Sequence, residues 1–326
     1  MKQHKSKIIW SSVVLILFVA VLIGFINLGG SEQVPDKKIR IGYTHNDILV
    51  GLKNMEAIEG RIAPEGYSVE WIEFQDEVKI YQSLEEGTID FGKVGDAVPS
   101  FLHKGKNAPV FVAAEPPSPN GRAIATRKGT EMTEVEDLVG KKVAYTPFTN
   151  DHYFLLQLLE KSSLGVGGID KLEAIEASPS EGVELLQNGE VDAVVVSEPY
   201  VSLFDHLEYP LVYDGELTAN QDVYLTTQEN IKERKDIINE LLLAIYDYED
   251  LLNEDIHGFA EILYQKTKIP HIVWLNVFVN EAYGISPYYE GMVKQQQERV
   301  DFLFEQKVIS QNFEVNEFAI DNTEQE

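Results

Sequence analysis

Apolar and polar positions follow one another in a repeating order: a short apolar run, a polar turn, then apolar residues every three to four positions. Short runs at 39–43, 68–72, 89–91 and 110–113 predict strands. Helical spacing runs to about residue 59, over 76–86 and from near Ala97. The pattern restarts after Pro119, where the chain runs through 123–127. It then predicts strands at 142–145, 172–175, 191–196, 209–213 and 222–226. Helices fall at 135–140, 151–161, 179–188 and 199–207, and the rest is helical to about 307. Strand–helix alternation with short loops predicts a parallel sheet with helices on both faces rather than a sandwich or a bundle. The late helices have no sheet of their own, so they are expected to cover the first sheet. That makes the middle of the chain an inserted domain: one lobe of 39–122 plus 227–326, and a second lobe of 123–226 joined to it by two hinge strands.

The start of the chain reads differently. Lys2, Lys5 and Lys7 precede an apolar run of 21 residues at 8–28. A membrane-spanning helix needs about 20, and a secretory signal core is usually about 7–15 residues with a small-residue cleavage site. Residues 1–30 are therefore expected to be an uncleaved signal-anchor or transmembrane helix, and 31–38 a polar linker. The lysines place the amino terminus in the cytoplasm and the rest of the chain outside.

Composition narrows the chemistry. A formal charge of −27, from 54 acidic and 27 basic residues, argues against nucleic acid as a partner. The absence of cysteine removes thiol catalysis, Cys-zinc sites, disulfides and a lipid-modified cysteine anchor. None of the nucleophile, zinc-helix or phosphate-loop motifs G-x-S-x-G, H-E-x-x-H and G-x-x-x-x-G-K-[ST] occurs, and the seven histidines show no i,i+4 pair. No enzyme activity, metal or cofactor is expected.

In an open α/β sheet, ligands settle at the carboxyl ends of strands, where loops enter helices. That rule selects Gly95 and Asp96, Glu115 before its two prolines, and His45 and Asn46 after the first strand. It also selects Asn150, Asp151, His152 and Tyr153 at the start of the helix over 151–161, and Ser197 and Glu198 ending the run VDAVVV. Each has a structural alternative: Asp96, Asn46 and Asn150 as caps, Tyr153 as core, Glu115 as a hinge brace. His152 is the foremost candidate for ligand contact. Trp274, Phe278 and Tyr283 recur at helical spacing and read as core.

Several of these segments, in order, resemble the aliphatic sulfonate-binding components of ABC importers, within a wider group for sulfonates, taurine, nitrate and a thiamine-related pyrimidine. The carriers are Ile39-Arg40-Ile41-Gly42-Tyr43, Gly87-Thr88-Ile89-Asp90-Phe91-Gly92, Gly95-Asp96 and Ala114-Glu115-Pro116-Pro117-Ser118-Pro119. They continue with Asn150 before His152-Tyr153, Val191-Asp192-Ala193 before Pro199-Tyr200, and Tyr283-Gly284 before Gln295-Gln296. The resemblance spans about residues 38–318. It implies a two-lobed type II periplasmic-binding-protein fold that closes on a small-molecule solute, docks on a membrane permease and acts as a monomer. The ligand-binding set is then His45, Asn46, Gly95, Asp96, Glu115, Asn150, His152, Tyr153, Ser197 and Glu198. The solute implied is an aliphatic sulfonate or a related sulfur or nitrogen compound, with a membrane-tethered sensor of the same fold, or a binder of a thiamine-related pyrimidine, as the alternatives. The chain departs from the family in three places. Ser197-Glu198-Pro199-Tyr200 stands where Trp-Asp-Pro-Tyr is common, Asn280-Glu281-Ala282 where an arginine often precedes Tyr-Gly, and Asp151 where an apolar residue is common.

Overall fold

The structure is a computed structural model, and it describes residues 37–103, 108–118, 121–213, 221–281, 283–288 and 290–315. The expected anchor at 8–28 lies outside them; among the described residues no helix is long and apolar enough to cross a membrane.

Strand β1 (Lys37–Thr44) opens the fold, with Ile39 and Ile41 fully buried. Two short helices follow, α1 (Leu49–Asn54) and α2 (Ala57–Ile62), then β2 (Tyr67–Phe74) and α3 (Glu77–Glu85), which Asp76 caps by accepting from the Lys79 N–H. Strands β3 (Phe91–Gly95) and β4 (Val110–Ala114) are buried along their whole length, as central strands covered on both faces must be. The short helix α4 (Val98–Leu102) lies between them. The chain then leaves for a second sheet: β5 (Arg122–Thr126), β6 (Lys142–Tyr145), α5 (Asn150–Lys161), β7 (Glu173–Glu176), α6 (Pro179–Gln187), β8 (Ala193–Ser197), α7 (Tyr200–His206) and β9 (Leu211–Val212). It returns as β10 (Asp222–Thr226) and continues in α8 (Gln228–Glu233), α9 (Lys235–Glu254), α10 (Ile256–Thr267), α11 (His271–Asn280), the two-residue β11 (Ser286–Pro287) and α12 (Glu290–Glu305).

The first sheet has the order β11-β4-β10-β3-β1-β2 and the second β7-β6-β8-β5-β9. Both are mixed, which corrects the expectation of a parallel sheet. β1 runs parallel to β2 and β3, but β10 is antiparallel to β3 and β4, and β5 is antiparallel to β8 and β9. The assignment of 222–226 to the second lobe is corrected for the same reason. Tyr224, fully buried and stacked on Phe91 at 5.9 Å, wedges β10 into the middle of the first sheet. At the other boundary Arg122 belongs to the second sheet, paired with Ser197.

Each sheet is covered on both faces. On the first, α9 packs Ile238, Leu241, Ile245 and Leu252 against Ile39 and Ile41, with α10 and α11 behind. The opposite face holds Ile80, Leu84, Val94, Leu225 and Val300. On the second, Leu155 and Leu158 of α5 cover Val143 and Val195, while Val183 of α6 and Phe204 of α7 cover Ala144 and Val194. At about 25 cal/mol per Å² of apolar area removed from water, two such two-sided cores are the main favourable term in folding. They leave the strand ends and their loops facing one another.

Candidate functional site

The loops that follow β1, β4, β6 and β8 converge with the start of α6 and one face of α11 on a cavity of about 510 Å³. Six of the ten residues in the expected ligand-binding set line it, His45, Asn46, Glu115, Asn150, Ser197 and Glu198, and so does Asp151. Polar bonds cross it. The Asn46 amide donates to the Tyr200 hydroxyl at 2.5 Å, and the Gln75 amide donates to Ser178 Oγ at 3.4 Å. Asn150 reaches back to the first lobe, where its Oδ1 accepts from the Ala97 N–H at 2.6 Å and its Nδ2 donates to the Gln221 carbonyl at 3.4 Å. Asn150 is thus a strut between the halves as much as a cleft residue. His45, with its side chain 56% exposed, pairs with Glu73 at 3.1 Å at the rim.

The other four lie elsewhere. Gly95 sits beneath the Asn150 amide, where a Cβ would come within 2.5 Å of Asn150 Cγ, and its N–H donates to Glu77 Oε2 at 2.8 Å. The glycine is required by close approach rather than by ligand contact. Asp96 neither lines the cavity nor caps α4, whose N-cap is Ala97 without a side-chain bond; it is buried and paired with Arg299 of α12. That partner lies two hundred residues away in sequence, beyond any local capping rule. His152, the foremost sequence candidate, is likewise turned from the cavity. Its ring stacks on Phe101 at 5.0 Å and lies 4.8 Å from Tyr145, and burial lowers its pKa to about 4. Tyr153 packs edge-on to Phe302 at 5.3 Å. Successive helical residues point about 100° apart, so the first turn of α5 sends Asn150 and Asp151 to the cleft and the next two side chains into the core.

Of the charges on the cleft floor, sequence reasoning named Glu115, Asp151, Glu198 and Glu281 and missed Lys93, Arg122, Glu77 and Asp222. Lys93, 8% exposed in the fully buried β3, is 3.3 Å from Asp47, 3.3 Å from Glu115 and 3.1 Å from Asp222. Burial alone would lower its pKa, but the three carboxylates outweigh that and hold it well above the ordinary value. A lysine inside the buried run FGKVG was the available signal, since an unpaired ammonium is almost never buried. Arg122 pairs with Asp151 at 3.3 Å; burial raises that carboxyl to about 6, with Arg122 opposing the rise. Burial likewise lifts Glu77 to about 8, with Asp222 adding to it, and Glu281 to about 8, with Glu198, Asp222 and Glu115 adding to it. The apolar part of the lining was also missed. Trp274, Val277 and Glu281 fall at spacings of three and four on α11 and its C-cap, so one helical face lines the cavity, joined by Tyr283. Trp274 and Tyr283 therefore serve the cleft as well as the core, whereas Phe278 is core alone. Among the described residues no cluster of histidine and carboxylate side chains is arranged to hold a metal ion.

The model of the family described as NMT1/THI5 like matches residues 62–252. The chain belongs to that family. Among its relatives, a protein of Escherichia coli (strain K12) named for binding aliphatic sulfonates is 24% identical over 291 residues, covering 88% of this chain and 89% of the relative. One of the same name from Bacillus subtilis (strain 168) is 26% identical over 329 residues, covering 95% of this chain and 94% of the relative. The crystal structure of the alkanesulfonate-binding protein SsuA from Xanthomonas axonopodis pv. citri, bound to MOPS, superposes with a TM-score of 0.79 at 23% identity over 86% of this chain and 97% of that one. This NMT1/THI5-like chain thus has the mixed, two-sheet periplasmic-binding-protein fold.

Proposed function

We propose that this chain is the extracytoplasmic solute-binding component of an ABC importer, which captures a small organic molecule between its lobes and hands it to a membrane permease. The observation that carries the reading is the cavity itself: a space of about 510 Å³ at the strand ends of two independently cored sheets, spanned by side-chain bonds from each lobe to the other. Bonds such as Asn46 to Tyr200 exist only while the lobes are together. A solute that contacts both lobes favours that closed arrangement by its differential affinity, and closure creates the surface a permease reads. The chain acts as a binder, not an enzyme. The apolar run at 8–28 tethers it to the membrane with the lobes outside, and it works as a monomer.

The relatives' names point first to an aliphatic sulfonate or a related sulfur or nitrogen compound. A sulfonate would meet the Arg122 guanidinium and the amino-terminal end of α5. The test is thermal shift and native mass spectrometry on the full-length chain, challenged with alkanesulfonates, taurine, nitrate, a thiamine-type pyrimidine and organic cations. A ligand at one hundred times its dissociation constant stabilises by about 2.7 kcal/mol, so one class should raise the Tm and add one mass per chain. No response from any class would sink the reading.

A further inference from the structure

The cavity defines where a solute sits; the charges around it decide what kind. Nine of its lining side chains are Asp or Glu and two are Lys or Arg. Both cations are engaged, Lys93 by three carboxylates and Arg122 by Asp151. The start of α5, a helix end of the kind that welcomes an anion, carries Asp151 in its first turn, and the Asp151 N–H already donates to Thr149 Oγ1 at 3.2 Å.

Uncompensated acid gathers at the α11 end. Glu281 has a hydrogen bond from the Tyr283 hydroxyl at 3.2 Å, and no cation among the described residues pairs with it. Its carboxylate lies over Gly121, where a Cβ would stand 3.3 Å from Oε1, so the glycine leaves it room at the lobe crossing. Glu198, which shares its field, accepts from the Ser202 N–H and hydroxyl and likewise has no cationic partner among the described residues. Aromatic rings line the same cavity: Trp274 on the helical face that ends in Glu281, Tyr283 two residues on, and Tyr200 from the other lobe. The indole N–H of Trp274 is already satisfied by Thr267 Oγ1 at 3.2 Å, so this ring offers the cavity its body rather than a donor. Carboxylates without a counter-charge beside aromatic rings suit a positively charged nitrogen, by Coulomb attraction and by cation–π contact, and they repel an anion.

We infer that the solute carries a positively charged nitrogen, an amine or alkylammonium group, seated against Glu281 with Trp274 and Tyr283 beside it. This rests on the cleft being the solute site, and it holds whether or not the far end of the solute is a sulfonate. The test is isothermal titration of the full-length chain with butane-1-sulfonate, butylamine, butyltrimethylammonium and 3-aminopropane-1-sulfonate, repeated on Glu281→Gln and Glu198→Gln. At least one nitrogen-bearing probe should bind about tenfold or more tighter than butane-1-sulfonate. Glu281→Gln should weaken it by about tenfold or more and strengthen butane-1-sulfonate binding, since a repelling charge is removed, and Glu198→Gln should weaken it less. Thermal melts of both variants verify that they are folded. Butane-1-sulfonate binding as tightly as the amines, or amine binding indifferent to Glu281→Gln, overturns the inference and leaves the solute-binding reading standing. Binding by none of the four overturns the inference, and the wider solute screen then decides the reading.

Discussion

The two ends of the cleft floor bury charge in opposite ways. At one end Lys93 stands among Asp47, Glu115 and Asp222, which come from the loop after β1, the exit of β4 and the entry of β10. At the other, Glu281 and Glu198 share a field with no cation paired to either among the described residues. Burial penalises the charged form at both ends. Attraction reverses the penalty for Lys93 and repulsion compounds it for Glu281, so one end is an ionised cluster and the other resists ionisation until a cation offsets the repulsion. The balanced end ties together three segments of the first sheet, including both strands that border the passage to the second lobe, so its charges are spent on architecture. The unbalanced end waits for a partner.

Removing Lys93 should break the balanced end most severely. Lys93→Met leaves three buried carboxylates facing one another, and breaking such a cluster costs about 3–5 kcal/mol; a urea melt giving wild-type stability would show that the cluster is not structural. Glu281→Gln should do the reverse. Because the folded-state pKa of Glu281 is raised from the ordinary 4.5 to about 8, folding favours its protonated form, and the cost of ionising it grows as pH rises from about 4.5 through 8. The groups that set this cost are Glu198, Asp222, Glu115 and Lys93, with Tyr283 bonded to it. The variant should therefore melt like wild type at pH 4.5 and be the more stable by up to about 5 kcal/mol at pH 9. A constant difference across that range would contradict the assignment. Asn150→Ala removes the acceptor for the buried Ala97 N–H and should cost about 1–2 kcal/mol. If Asn150 is a strut, solute affinity should fall as well, because the closed form loses a bond; stability lost at unchanged affinity would make it structural alone. His152→Ala should leave affinity unchanged, since its ring packs among Phe101, Tyr145 and Phe148, and a tenfold loss of binding would return it to the site.

Much of the fold was legible because strands and helices announce themselves locally. The helix over 76–86, the strand at 110–113 and the strand at 222–226 all follow from neighbours in sequence. Which sheet strand 222–226 enters did not follow, because its antiparallel pairing with β3 and β4, like the stack of Tyr224 on Phe91, joins residues over a hundred positions apart. The site divides along the same line. The rule that loops at strand ends form clefts found His45, Asn46, Glu115, Asn150, Ser197 and Glu198. It failed at Asp96 and His152, whose surroundings are made by Arg299 on α12 and Phe101 on α4. It was silent on Trp274 and Glu281, because a helix that comes home from the far end of the chain does not reveal which of its faces meets the cleft.

Trp274 offers the most direct test that the cleft between the sheets is where a solute binds. It lines the cavity while only 1% exposed, whereas Trp71 packs against Tyr43 on the first sheet outside the lining. Tryptophan emission of the full-length chain would be followed as a bound solute is titrated into wild type and Trp274→Phe, with calorimetry confirming that both bind it. The account predicts a saturable emission change in wild type that is lost in Trp274→Phe. The same change in both proteins, or binding by wild type with no change, would place the solute somewhere other than this cleft.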